Sequence, residues 1–110
     1  GNYTKVGNLV HISGLFETTS QGSATTGPIR ISGLPFTVAS GGPAYSGGGA
    51  GYGGGLDITA GVSVSYYCSP GNDHMDFIKW SEQTGSTSSL SADDWTDNGH
   101  VVIGCSYRVA

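Results

Sequence analysis

The chain has 110 residues, enough for one domain that buries about two thirds of its unfolded surface and too few for two. Only 11% of them are charged and 20 are glycine; with Ser and Thr abundant and Leu, Lys and Glu scarce, short strands are favoured over helices. The formal net charge is −4 and the four basic residues, Lys5, Arg30, Lys79 and Arg108, are scattered, so nucleic acid, which needs clustered cations, is not an expected partner. No apolar run approaches the roughly 20 residues that span a bilayer, and no signal-peptide pattern opens the chain, so membrane insertion is not expected either.

Asn2 to Gly14 reads as a short strand (Tyr3–Val6), a Gly7-Asn8 turn and a longer strand from Leu9. Gly-Asn between two β-prone runs signals a two-residue hairpin, because both residues tolerate positive φ. On the second strand Val10, Ile12 and Phe16 share one face, and His11, Ser13 and Glu17 the other. A strand with one apolar face must be covered by a second layer. Gly14 is a candidate bulge. Gln21 to Pro28 reads as a polar turn, and Pro28–Ser32 as a strand with Ile29 and Ile31 on one face. The alternation then changes phase across Gly33 and Pro35, leaving Leu34, Phe36 and Val38 on one side, as a strand turning a corner between layers requires.

Ser40 to Gly55, SGGPAYSGGGAGYGGG, reads as a long glycine loop whose only large side chains are Tyr45 and Tyr52. Tyrosine offers a flat apolar ring and a hydroxyl at low entropic cost. Three roles stay open: a spacer packed on its own domain, a subunit contact, or a host-receptor contact. The run lacks G-K-[ST], which removes a phosphate loop. Leu56–Tyr67 alternates apolar Leu56, Ile58, Val62, Val64 and Tyr66 with polar residues, so one strand is expected, with Tyr67 facing solvent or an interface. Ser69 to Asp73 is a dense turn signal. Asp73, His74 and Asp76 have metal-ligand side chains but not the spacing of a calcium loop, and alternation separates Asp73 from the other two; neither a metal nor another cofactor is expected.

Met75–Glu82 is a strand with Phe77 and Lys79 on one side and Ile78 and Trp80 on the other. Large apolar groups on both faces suit a strand covered by its own core and by a neighbouring subunit. Gln83 to Leu90 is a polar loop. Ser91, followed by Ala92, Asp93 and Asp94, is an N-cap and an acidic first turn, so one helical turn is expected, with Trp95 or Leu90 packing back. Trp80, Trp95, Asp93 and Asp94 also have sugar-site chemistry, since Trp stacks on C–H faces and carboxylates accept hydroxyl hydrogen bonds. Asn98-Gly99 reads as a turn before a final strand, His100–Val109, with Val101, Ile103, Cys105, Tyr107 and Val109 inward. Cys68 and Cys105 are two small buried thiols, or a disulfide if their strands are neighbours; spacing alone does not choose. Paired zinc-ligand spacing is missing.

Three blocks taken together, YTKVGNLVHISG from Tyr3 to Gly14, ISGLPF from Ile31 to Phe36 and GCSYRV from Gly104 to Val109, resemble the small β-sandwich domains near the C-termini of bacteriophage tail fibres and tailspikes. Those domains show a YTKxGNxVxxxG opening, an I-x-G-L-P-F segment and a last strand ending small-small-Tyr. The blocks stand in the same order here, while the glycine-rich middle and Ser69 to Gly99 lie outside the likeness. The resemblance implies an all-β, antiparallel, jelly-roll-like sandwich, usually a homotrimer, on a viral tail appendage that is assembled in the host cytoplasm and meets the host surface. A chain opening on Gly1 then reads as the C-terminal fragment of a longer fibre, and thiols assembled in a cytosol are expected reduced.

Catalysis is not expected. Glycan hydrolysis needs two carboxyls roughly 5–10 Å apart across a cleft, and nothing in the sequence selects such a pair. No G-x-S-x-G elbow is present, and the three His lie on separate elements. The expected function is a receptor-binding domain that touches host lipopolysaccharide or capsule through Tyr45, Tyr52, Trp80, Trp95, Asp93 and Asp94. The competing readings are a trimerisation or virion-decoration domain without a ligand, and a carbohydrate-binding module appended to a depolymerase.

Overall fold

The opening alternation folds as its period dictates. In the computed structural model, which describes residues 1–19, 27–59, 61–80 and 86–110, β1 (Asn2–Val6) and β2 (Leu9–Glu17) form an antiparallel hairpin with Val6 opposite Leu9. Of the two turn residues only Gly7 has a positive φ, 60°, which is the pattern of a type II′ turn matched to strand twist. β2 continues into antiparallel pairing with β9 (Trp95–Arg108), from Leu9 opposite Arg108 to Glu17 opposite His100. No bulge forms at Gly14, which stays in register opposite Ile103. Its missing Cβ serves close packing instead, because the Phe16 ring and the Gly1 backbone lie 3.1 and 3.0 Å from where a Cβ would stand.

The remaining strands are β3 (Arg30–Ser32), β4 (Ser46–Gly49), β5 (Tyr52–Leu56), β6 (Ser63–Cys68), β7 (His74–Trp80) and β8 (Ser88–Ser89). The protein is all-β, with two antiparallel sheets of order β1-β2-β9-β5 and β3-β7-β6-β4; β8 pairs with β7 on the edge that β3 also uses. Val10, Ile12, Val101, Ile103, Cys105 and Tyr107 from the first sheet meet Tyr66, Cys68, Met75 and Phe77 from the second in one apolar core. This arrangement is compatible with a β-sandwich. The Gly33–Phe36 segment crosses between the layers as its change of phase requires. Leu34 N–H donates to Asp73 O, Val38 bridges to Val109 just past the end of β9, and the buried Tyr107 hydroxyl donates to Phe36 O at 3.0 Å.

Three expectations are corrected. The glycine-rich stretch is not a long loop: after a 3-10 turn at Gly42–Ala44 it supplies β4 to one sheet and β5 to the other. Polyglycine is ordered here because neighbouring side chains occupy the space its own would fill. A Cβ on Gly48 would stand 2.9 Å from the Tyr66 hydroxyl, and one on Gly54 2.8 Å from the His100 ring. The expected Leu56–Tyr67 strand is two strands in different sheets, broken between Leu56 and Ser63 where Gly61 takes φ 90°. The apolar face survives the break, with Leu56, Ile58 and Val64 against the core. Asn98-Gly99 does not turn; β9 runs through it, with a register shift opposite Gly54 and Leu56. Gly55 (φ 64°) lets the Asn98 carbonyl approach more closely than any side chain would allow. The polar turn expected from Gln21 and the loop beginning at Gln83 lie largely outside the described residues, as does the C-terminal end of the strand expected to run to Glu82.

Candidate functional site

Because Met75 and Phe77 enter the core, period-two alternation turns His74, Asp76, Ile78 and Trp80 outward on β7. Their cross-strand partners on β6 are Tyr67 opposite Asp76, Ser65 opposite Ile78 and Ser63 opposite Trp80. On the far side of β6, Tyr67 faces Gly47 and Ser65 faces Gly49. An outward tyrosine beside an edge strand of glycines is left uncovered laterally. A Cβ at Gly47 would stand 2.8 Å from the Tyr66 carbonyl oxygen and 3.5 Å from the Tyr67 Cβ.

A groove of about 1010 Å³ runs over this outer face, bounded by Tyr45, Tyr67 and Trp80. Its floor is Ile78 with Ser65 and the glycines of β4, and Ser86, Thr87, Ser88 and Ser89 form a further wall of hydroxyls. Tyr45 is placed by the 3-10 turn that Pro43 initiates and is 62% exposed; Trp80 ends β7 and is 50% exposed. Every described residue lining the groove is uncharged. Beside it, Asp76 is neutralised by Arg30 Nε at 3.2 Å and approached by His74 Nε2 at 3.3 Å. The His74–Asp76 pair is thus engaged with Arg30, and among the described residues no group of three or more His, Cys, Asp or Glu is arranged to hold a metal ion.

The six residues singled out from the sequence separate. Tyr45 and Trp80 meet in the groove. Tyr52 sits on the other sheet, opposite Val102 and 65% exposed, its ring 5.7 Å from that of His100. Trp95 is 8% exposed and belongs to the core; its indole N–H donates to Thr18 Oγ1 at 2.8 Å. Leu90 is buried as well, so both residues pack back. Asp94 is also buried, closing the 3-10 turn Ala92–Asp94: the Ser91 backbone N–H donates to Oδ2 at 3.0 Å, and Lys79 Nζ donates to both carboxylate oxygens at 3.0 and 2.9 Å. Burial pushes the Asp94 carboxyl up, but the Ser91 and Lys79 hydrogen bonds and the Lys79 charge outweigh it and hold it below the usual carboxylate value. Asp93 is exposed and accepts the Ser91 hydroxyl at 3.2 Å, away from the groove. Tyr67 was not among the six. Its signal is the pairing of an outward tyrosine with a glycine-only edge, visible only once β4 is known to be a strand.

No family model, curated protein or solved structure matches the chain.

Proposed function

We propose that this chain is a glycan-binding adhesion domain: a jelly-roll-like β-sandwich, assembled as a homotrimer on a viral tail fibre or tailspike, that holds host-surface polysaccharide in the groove bounded by Tyr45, Tyr67 and Trp80. The observation that carries the reading is that juxtaposition: three aromatic rings around a floor of glycine, isoleucine and hydroxyls. Pyranose rings present apolar C–H faces that lie against aromatic π-faces, and their hydroxyls pair with Ser and Thr hydroxyls that can both donate and accept. Glycines keep the floor low enough for a sugar to approach. An uncharged lining favours neutral hexose-rich stretches of lipopolysaccharide or capsule over uronate or phosphate units, which would enter without a countercharge.

The test is a glycan array followed by titration of the best neutral oligosaccharide against the wild type, Tyr45→Ala and Trp80→Ala. Each ring removed from the contact is expected to weaken binding about tenfold, roughly 1.4 kcal/mol. Unchanged affinity in both variants would overturn the groove as the site. A ligand-free assembly role has one observation in its favour, the exposed apolar row Leu15–Val102–Tyr52 across β2, β9 and β5. That row is the surface on which the trimer would form, and light scattering reads it independently of sugar binding.

A further inference from the structure

The two cysteines belong to opposite sheets and meet in the core. Cys68 ends β6, directly opposite Ser46 of β4, and the Ser46 hydroxyl lies 3.9 Å from Cys105 Sγ on β9. Both thiols are free and buried, and Ser46 stands beside each of them, paired with Cys68 across β4 and β6 and in reach of Cys105 from the other layer. Facing sheets stand about 10 Å apart, and a disulfide needs Cα atoms within about 7 Å. Beside Cys68 the layers are closer than that ordinary spacing, since Cα atoms of β4 and β9 come within 8 Å of each other. The small neighbours allow it, since Ser46 and the glycines of β4 leave room that larger side chains would fill.

We propose that Cys68 and Cys105 are an oxidation site at which a peroxide joins the two sheets by an intrachain disulfide. The Cys105 thiolate attacks one peroxide oxygen, the O–O bond breaks, and the departing hydroxide takes up the proton Cys105 released, giving water and a sulfenic acid. Cys68 sulfur then displaces hydroxide from Cys105 sulfur, and the Cys68 proton completes a second water. The two sulfurs together lose two electrons, and the peroxide gains them. Cys105 is the group to ionise, because the hydrogen bond from Cys68 lowers its pKa while the same contact and burial raise that of Cys68. A peroxide is small enough to reach a core that excludes glutathione. The bridge would join β6 to β9 beside Ser46, the first residue of β4.

The experiment treats the intact protein with hydrogen peroxide and counts thiols in denaturant, with intact mass and thermal melts before and after reductant. The expected result is joint loss of both thiols, a mass lower by two hydrogens in an unlinked chain, and a melting temperature raised by about 10 °C that reductant reverses. Cys68→Ala, if folded, should retain added oxygen on Cys105 instead. Mass gained as oxygen in the wild type, chains linked to one another, or a melting temperature lowered by the bridge would each overturn the proposal.

Discussion

Tyr66→Phe removes one oxygen atom and tests how the two layers are joined. The Tyr66 hydroxyl donates to the Gly104 carbonyl at 2.7 Å and accepts from the Gly104 N–H at 3.2 Å. Gly104 lies on β9 beyond the segment that β5 covers, so Tyr66 takes the place of a missing strand partner there. The ring stays buried against Phe77 in either variant, with centroids 6.1 Å apart in the wild type, so the substitution isolates the hydroxyl. Each hydrogen bond contributes about 0.5–1.5 kcal/mol net, giving about 1–3 kcal/mol for the pair. For a domain of this size each kcal/mol moves the melting temperature by about 4 °C, so a fall of roughly 4–12 °C is expected. Urea unfolding followed by circular dichroism measures the same loss as a lower midpoint at constant slope. Tyr67→Phe, altering the outward neighbour, is the control and should stay within about 0.5 kcal/mol. A Tyr66→Phe midpoint equal to the wild type's would refute the bridging role.

Gly48→Ala places a methyl 2.9 Å from the Tyr66 hydroxyl and 3.2 Å from its ring; a loss of about 1–3 kcal/mol in chemical denaturation is expected, whereas Gly49→Ala, with nothing near its Cβ, should change little. Lys79→Met leaves the buried Asp94 carboxylate without its cation, with an expected cost of about 2 kcal/mol at neutral pH. Since the folded Asp94 pKa lies below the unfolded value, the stabilisation is complete above about pH 4–5 and fades as pH falls through the folded pKa. The gap between wild type and Lys79→Met in acid titrations should therefore narrow below pH ~4; a gap independent of pH would contradict the pairing. Tyr52→Ala should leave glycan affinity unchanged, and Leu15→Glu should lower the molar mass seen by light scattering if the β2-β9-β5 row joins subunits.

Much of the fold was legible because the strands that build the core alternate cleanly. β2 and β9 display Val10, Ile12, Val101, Ile103, Cys105 and Tyr107 at every second position, and each of these is buried. The glycine stretch was illegible for a physical reason. Its ordering comes from Tyr66, Tyr67 and His100 on neighbouring strands, and local composition carries no trace of partners that distant in sequence. The break after Leu56 was hidden in the same way: its inward residues keep one period through two strands of different sheets. As for the site, exposed aromatics are not distinguished from core aromatics by type. Trp80 and Trp95 read alike, yet the position of one at the outward end of β7 and of the other over Gly99 separates them. Tyr45 and Tyr52 share one glycine run, yet one caps the turn leading into β4 and the other begins β5 of the opposite sheet.

The two tryptophans supply the most direct measurement of the groove as a glycan site. Trp80 is half exposed in it and Trp95 is buried elsewhere, so a sugar stacking in the groove changes the environment of Trp80 alone. Titration with a neutral host-surface oligosaccharide should shift the intrinsic emission to shorter wavelength and saturate, and Trp80→Phe should abolish the shift while Trp95 still reports a folded core. A saturating shift that persists in Trp80→Phe would place the ligand outside the groove and contradict the proposed site.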